Sequence, residues 1–123
     1  MTQLTVKRDA ALKDFLIVVA KLPRSEPQEK LDWLQAWQAG SADAGRRLLE
    51  SYLPMVVAEA ALRRGLGARF ETLLAAGNKA LAKALRDAVS QPRYLDSIVR
   101  HAVMDALKEH WMKAAEKGRI REI

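Results

Sequence analysis

Between Ser41 and Arg64 the residues Leu48, Leu49, Tyr52, Leu53, Val56, Val57 and Ala60 recur at spacings of three and four. That period lines them up on one face of an α-helix, whereas a strand would alternate every second residue. The rest of the chain follows the same rhythm. Half of its 123 residues are hydrophobic, mostly Ala and Leu, and aromatics make up only 6%. This mixture suits helices rather than sheets. The expected fold class is all-α: one compact bundle of about five helices.

The breaks between periodic segments set the expected boundaries. A first helix from about Thr5 to Leu22 carries Ala11, Leu12, Phe15, Leu16, Val18, Val19 and Leu22 as a broad apolar face, and Pro23 stops it. Ser25-Glu26-Pro27-Gln28 reads as a capping box with Ser25 as N-cap. The helix it opens carries Leu31, Trp33, Leu34 and Trp37 and ends at Gly40. Ser41 caps a third helix reaching about Arg64, with a kink or short break expected at Pro54. Gly65-Leu66-Gly67 is the clearest turn in the sequence. A fourth helix from about Arg69 to Asp87 turns Phe70, Leu73, Leu74, Gly77, Leu81, Ala84 and Leu85 inward. Ser90 is the expected cap of the fifth, with Pro92 in its first turn. Leu95, Ile98, Val99, Ala102 and Val103 line that helix, while Leu107 and Trp111 leave the line. Residues 1–24 form an N-terminal helix packed on a bundle spanning 25–116, and 117–123 form a charged tail expected to fray.

The chain has no cysteine, so neither a disulfide framework nor a Cys-based metal site is possible. The apolar run from Phe15 to Ala20 is too short to span a membrane. Met1 is followed by no basic segment of the signal-peptide kind, so a cytoplasmic location is expected and no membrane partner. No Gly-rich phosphate loop, nucleophile elbow or histidine–nucleophile spacing is present, so neither an enzyme nor a cofactor is expected. His101, Asp105 and Glu109 fall on one helix face beside His110, but the His-x-x-x-His or Glu-x-x-His pairing is missing, so no metal site is read.

Net charge is +6 and lies entirely in one half of the chain. Residues 1–62 hold 8 Lys/Arg and 8 Asp/Glu, whereas residues 63–123 hold 13 and 7. Such asymmetry fits either a surface facing a polyanion or solvated helix faces. On the fifth helix Arg93, Ser97, Arg100, Met104 and Lys108 share one stripe, with His101 beside it and Asp96 and Asp105 flanking it. The stripe could follow a phosphate backbone. On the fourth helix Lys79, Lys83 and Arg86 form a second stripe, with Arg63, Arg64 and Arg69 upstream. Among the tryptophans, Trp37 falls well inside the apolar face. Trp33 falls nearer its edge, where a partner could reach it.

The ordered series ADAGRRLLESYLPMVVAEA, RRGLGARFETLLAAGNKAL and RYLDSIVRHAV resembles domain 2 of the sigma-70 family of bacterial transcription initiation factors, over roughly Leu31 to His110. In that family the middle segment usually reads Asp-Leu-x-Gln-Glu-Gly-Asn-x-Gly-Leu and docks on the clamp coiled coil of the largest RNA polymerase subunit. The matching positions here run from Thr72 to Leu81. The resemblance thereby makes Thr72, Ala75, Ala76, Asn78 and Lys79 candidates for a polymerase or partner contact. The family's aromatic-rich segment holds flipped promoter bases, and of it only Tyr94 falls on an aromatic position. The Trp pair is replaced by Ser97 and Ile98, while Arg100 matches the family. The family's second DNA-binding domain has no counterpart in this sequence. The resemblance implies a sigma-like module, with an added N-terminal helix, that binds DNA, core RNA polymerase or both without ordinary promoter melting. The alternative is an adaptor, decoy or dimerising subunit that keeps the fold and has lost that chemistry.

Overall fold

A computed structural model describes residues 2–64 and 68–122, and side chains over residues 11–64 and 68–116. Five α-helices follow one another: α1 (Thr2–Ala20), α2 (Pro27–Gln38), α3 (Ala42–Leu62), α4 (Phe70–Ala88) and α5 (Leu95–Glu122). A 3₁₀ turn, Pro92–Tyr94, leads into α5. No β-strand occurs among the described residues, so the bundle is all-α as expected. The Gly65-Leu66-Gly67 turn lies outside the described residues.

The α2–α3 corner is built by one glycine and one serine. Gly40 has φ +109°, the left-handed region that glycine enters without a Cβ penalty. Its N–H donates to the Trp37 carbonyl at 2.9 Å, and the Ser41 N–H donates to the Ala36 carbonyl at 2.9 Å. This pair of bonds is a Schellman closure of α2. Ser41 also opens α3, its Oγ accepting from the Ala44 N–H at 3.2 Å. One residue therefore ends one helix and begins the next.

Elsewhere the boundaries differ from the sequence expectations. The N-cap of α2 is Glu26 rather than Ser25, and the box runs to Glu29, whose Oε1 accepts from the Glu26 N–H at 3.2 Å. Pro27 then occupies the first turn, where its missing N–H costs nothing. Ser90 does not cap α5. Its Oγ donates back to the Asp87 carbonyl at 3.0 Å, closing α4 instead. The helix α3 runs unbroken through Pro54, which is exposed while Tyr52 and Val56 on either side are buried. The helix α5 extends past Lys117 to Glu122.

The core lies between α3, α4 and α5. Leu48, Val56, Leu73, Leu81, Val99, Val103 and Leu107 are all at most 1% exposed, and Leu34 of α2 closes one side. Each such side chain contributes about 1.5–3 kcal/mol relative to exposure. The inner face of α4 is the expected one, except that Phe70 is half-buried and Ala88 joins it. Leu107 stays in the core rather than leaving the line. Gly77 of α4 lets α3 come close, since a Cβ added there would lie 2.7 Å from Val56 Cγ1, while Leu107 Cδ2 would stand at an ordinary 3.5 Å. Trp111 is half-buried. Helix α1 rests on α3, burying Val19 and half-burying Leu12, Phe15, Leu16 and Leu22. Ala11 and Val18, expected on that inner face, point to solvent.

Candidate nucleic-acid interface

The outer side of α5 and the turn before it bring the expected basic stripe together. Arg93, Tyr94, Ser97, Arg100, His101, Met104 and Lys108 are all exposed. Tyr94 is 49% exposed, and the Arg93 guanidinium carbon stands 5.1 Å from its ring centroid. His101 Nδ1 lies 2.7 Å from the Ser97 carbonyl oxygen. A proton on Nδ1 makes this a hydrogen bond to the preceding turn and leaves Nε2 for an outside partner.

Asp96, one turn before Arg100, stays exposed beside the stripe while its carboxylate is also engaged from the bundle side. The Tyr52 hydroxyl of α3 donates to its Oδ1. Lys30 Nζ of α2 approaches the same oxygen at 3.8 Å and stands 4.3 Å from the Tyr52 ring centroid. Tyr52 is 3% exposed. Burial is the main cause holding its hydroxyl above the usual phenol range. The hydrogen bond and charge of Asp96 push the same way, and Arg100 pushes against them. This node ties α2, α3 and α5 together at the head of α5. No local pattern announces it, because Tyr52 and Asp96 are 44 residues apart.

Ion pairing divides the cations into two sets. Asp43 Oδ1 meets Arg46 at 2.6 Å, Asp43 Oδ2 meets Arg47 at 3.0 Å, and Arg46 also meets Glu50 at 3.4 Å. A hydrogen bond from Arg46, followed by the charge of Arg47, holds the Asp43 carboxyl below its usual range. Arg63 is tied back to Glu59 at 2.6 Å, which removes it from the basic track expected upstream of α4. Lys113 pairs with Glu109 at 3.1 Å. Among the described residues Arg93, Arg100 and Lys108 of the α5 side and Lys79, Lys83 and Arg86 of α4 make no such pair. Asp105, which could have paired with Lys108, does not.

The outer face of α4 gathers the second candidate set. Thr72, Ala75, Lys79, Lys83 and Arg86 are exposed, and Ala76 is half-buried beside them. Asn78 stands apart: it is half-buried, and its Oδ1 is shielded from solvent without a hydrogen-bond partner among the described residues. Leaving such an acceptor unsatisfied costs about 1–3 kcal/mol. Trp33 is half-buried and lines a groove of about 280 Å³ with Leu22, Pro23, Arg46 and Arg47. Trp37 is half-buried too, its indole pressed against Gly45 of α3. Among the described residues no three His, Cys, Asp or Glu side chains gather in a way that could hold a metal ion. Among them, too, no helix is long and apolar enough to cross a membrane.

No protein-family model matches this chain, and no curated protein matches its sequence.

Proposed function

We propose that this chain is a non-enzymatic, transcription-associated module of the sigma-70 domain-2 kind that holds DNA by its phosphate backbone along the outer side of α5. The observation that carries this reading is the exposure of Arg93, Arg100 and Lys108 on one side, with no ion pair to them among the described residues. A cation already paired in the free protein would have to exchange one anion for another. Cations that are not paired offer the entropy of counterion release in full. Arg100 and Lys108 are separated by about 12 Å of helix, some three to four base steps of duplex. Tyr94, half-exposed beside Arg93, supplies a face for stacking an unpaired base, worth about 1–3 kcal/mol.

Titration of labelled single- and double-stranded DNA by fluorescence anisotropy tests it. Three phosphate contacts give a duplex salt slope near −2.7, so affinity falls about fortyfold between roughly 50 and 200 mM salt. Arg93→Ala with Arg100→Ala flattens that slope by nearly 2. No binding to either DNA at low salt sinks the reading.

The α4 face supports a second reading, a protein-docking surface for an acidic helix. There Lys79, Lys83 and Arg86 surround the small side chains of Thr72, Ala75 and Ala76, so another backbone can come close. Core RNA polymerase is the partner the resemblance implies, and a pull-down with purified core enzyme tests it. Retention that is lost in Lys79→Glu with Lys83→Glu supports docking through this face.

A further inference from the structure

Helix α1 has two usable sides. One side rests on α3 through Phe15 and Val19. The other leaves Ile17 43% and Val18 60% exposed, with Asp14 and Lys21 exposed on the same side. Lys21 continues the helical turn past Ala20, its N–H donating to the Ile17 and Val18 carbonyls at 3.2 and 3.1 Å. Neither Asp14 nor Lys21 makes an ion pair among the described residues.

The arrangement is symmetric about its own centre. Asp14 lies as far before the Ile17–Val18 peptide as Lys21 lies after it, about 5 Å along the helix in each direction. All four residues fall within a sector of about 100° on the helix surface. We propose that this face is a self-association surface whose occupant is α1 of a second copy of this chain, packed antiparallel about a two-fold axis at the Ile17–Val18 peptide. An isologous interface requires a surface complementary to itself. In this register Ile17 meets Ile17 and Val18 meets Val18 across the axis. Each Asp14 lies level with Lys21 of the other copy. A parallel pairing would set Asp14 against Asp14 and Lys21 against Lys21, which the charges disfavour. The contact is one helix stripe, well below the roughly 1,600 Å² of a standard stable interface, so the dimer is weak, on the order of 100 μM. This surface shares no residue with the α5 or α4 faces, and its test stands apart from the DNA and polymerase measurements.

Sedimentation equilibrium of the full chain, from about 10 μM to about 1 mM, reads the association directly. Asp14→Lys and Lys21→Asp each place like charges opposite one another, and each weakens the dimer at least about tenfold. The double reversal Asp14→Lys with Lys21→Asp rebuilds the pair in opposite sense and restores the affinity to within about threefold of the parent. Far-UV circular dichroism checks that the exposed substitutions leave the helices intact. A monomer over the whole range overturns the proposal. Single reversals without effect, or a double reversal that fails to restore association, overturn the register on which it depends.

Discussion

Gly77 sets how closely α4 approaches α3, and replacing it with alanine tests that closeness quantitatively. A Cβ at position 77 would stand 2.7 Å from Val56 Cγ1. Ordinary carbon contacts are about 3.5–4.0 Å, so the two helices must part, or Val56 must move, by about 1 Å. Val56 is fully buried and β-branched, with one strongly preferred rotamer in a helix, and cannot swing aside cheaply. Overpacking of this kind costs about 1–3 kcal/mol. Alanine's better helix propensity returns about 1 kcal/mol. The net expectation for Gly77→Ala is a loss of about 1 kcal/mol. Val56→Ala alone removes two buried methyl groups and leaves a void, costing about 2 kcal/mol. In the double variant the new methyl occupies space that Val56 has vacated, so the cost falls below the sum of the singles by about 1–2 kcal/mol. Urea unfolding followed by circular dichroism, with linear extrapolation, measures all four corners of the cycle. A coupling below about 0.5 kcal/mol, or a Gly77→Ala protein stabilised by the full propensity gain, refutes the close-approach account.

Gly45→Ala should be the costlier of the two glycine substitutions, by about 1 kcal/mol or more. Its Cβ would meet the rigid Trp37 indole at 2.5 Å, and a shift in tryptophan emission should accompany the loss. The raised Tyr52 pKa predicts a one-sided pH response. The stability it represents is intact below the unfolded phenol value near 10 and is lost as pH rises beyond it, by up to about 1.4 kcal/mol per pH unit. Denaturation midpoints from pH 8 to about 11 should therefore fall more steeply for the parent than for Tyr52→Phe. Asp43 has the opposite sign. Its lowered pKa adds stability that is present above the unfolded carboxylate value and is lost as pH falls through the folded one, and NMR titration of the Asp43 carboxyl should show the depressed midpoint. Lys79→Glu with Lys83→Glu should leave the fold unchanged, since both side chains are exposed. An unchanged DNA affinity in that variant would assign DNA to α5 alone.

The helices were legible because each carries its own period and its own stops. The inner face of α4 and the Gly40–Ser41 corner could be read residue by residue, since a helical wheel and a cap are local properties. Leu107 was misplaced by that same wheel. A run at i+4 winds about 40° per step, yet α4 packs along α5 closely enough to keep its fourth member, Leu107, buried. Ser25 lost the cap to Glu26 because two adjacent residues could each open α2, and Pro27 fits the first turn behind Glu26. The basic stripe of α5 was visible as spacing. What the spacing could not convey was which charges were already taken. Arg63 is held by Glu59 one turn before it, whereas Asp96 meets a tyrosine and a lysine from two other helices. Long-range partners of that kind are a property of the packed bundle and of no segment within it.

The chain has two tyrosines, and the fold separates them chemically. Tyr52 is 3% exposed, with its hydroxyl engaged by Asp96, whereas Tyr94 is 49% exposed at the mouth of α5. Ring-directed reagents such as tetranitromethane need access to the phenol and favour its ionised form. On the native protein they would therefore act on a single tyrosine, the one beside Arg93. The molecule thus carries a built-in footprinting probe. Protection of Tyr94 from nitration by a bound strand would map the contact on α5 with no engineered label. Delayed reaction at Tyr52 would time the opening of the bundle.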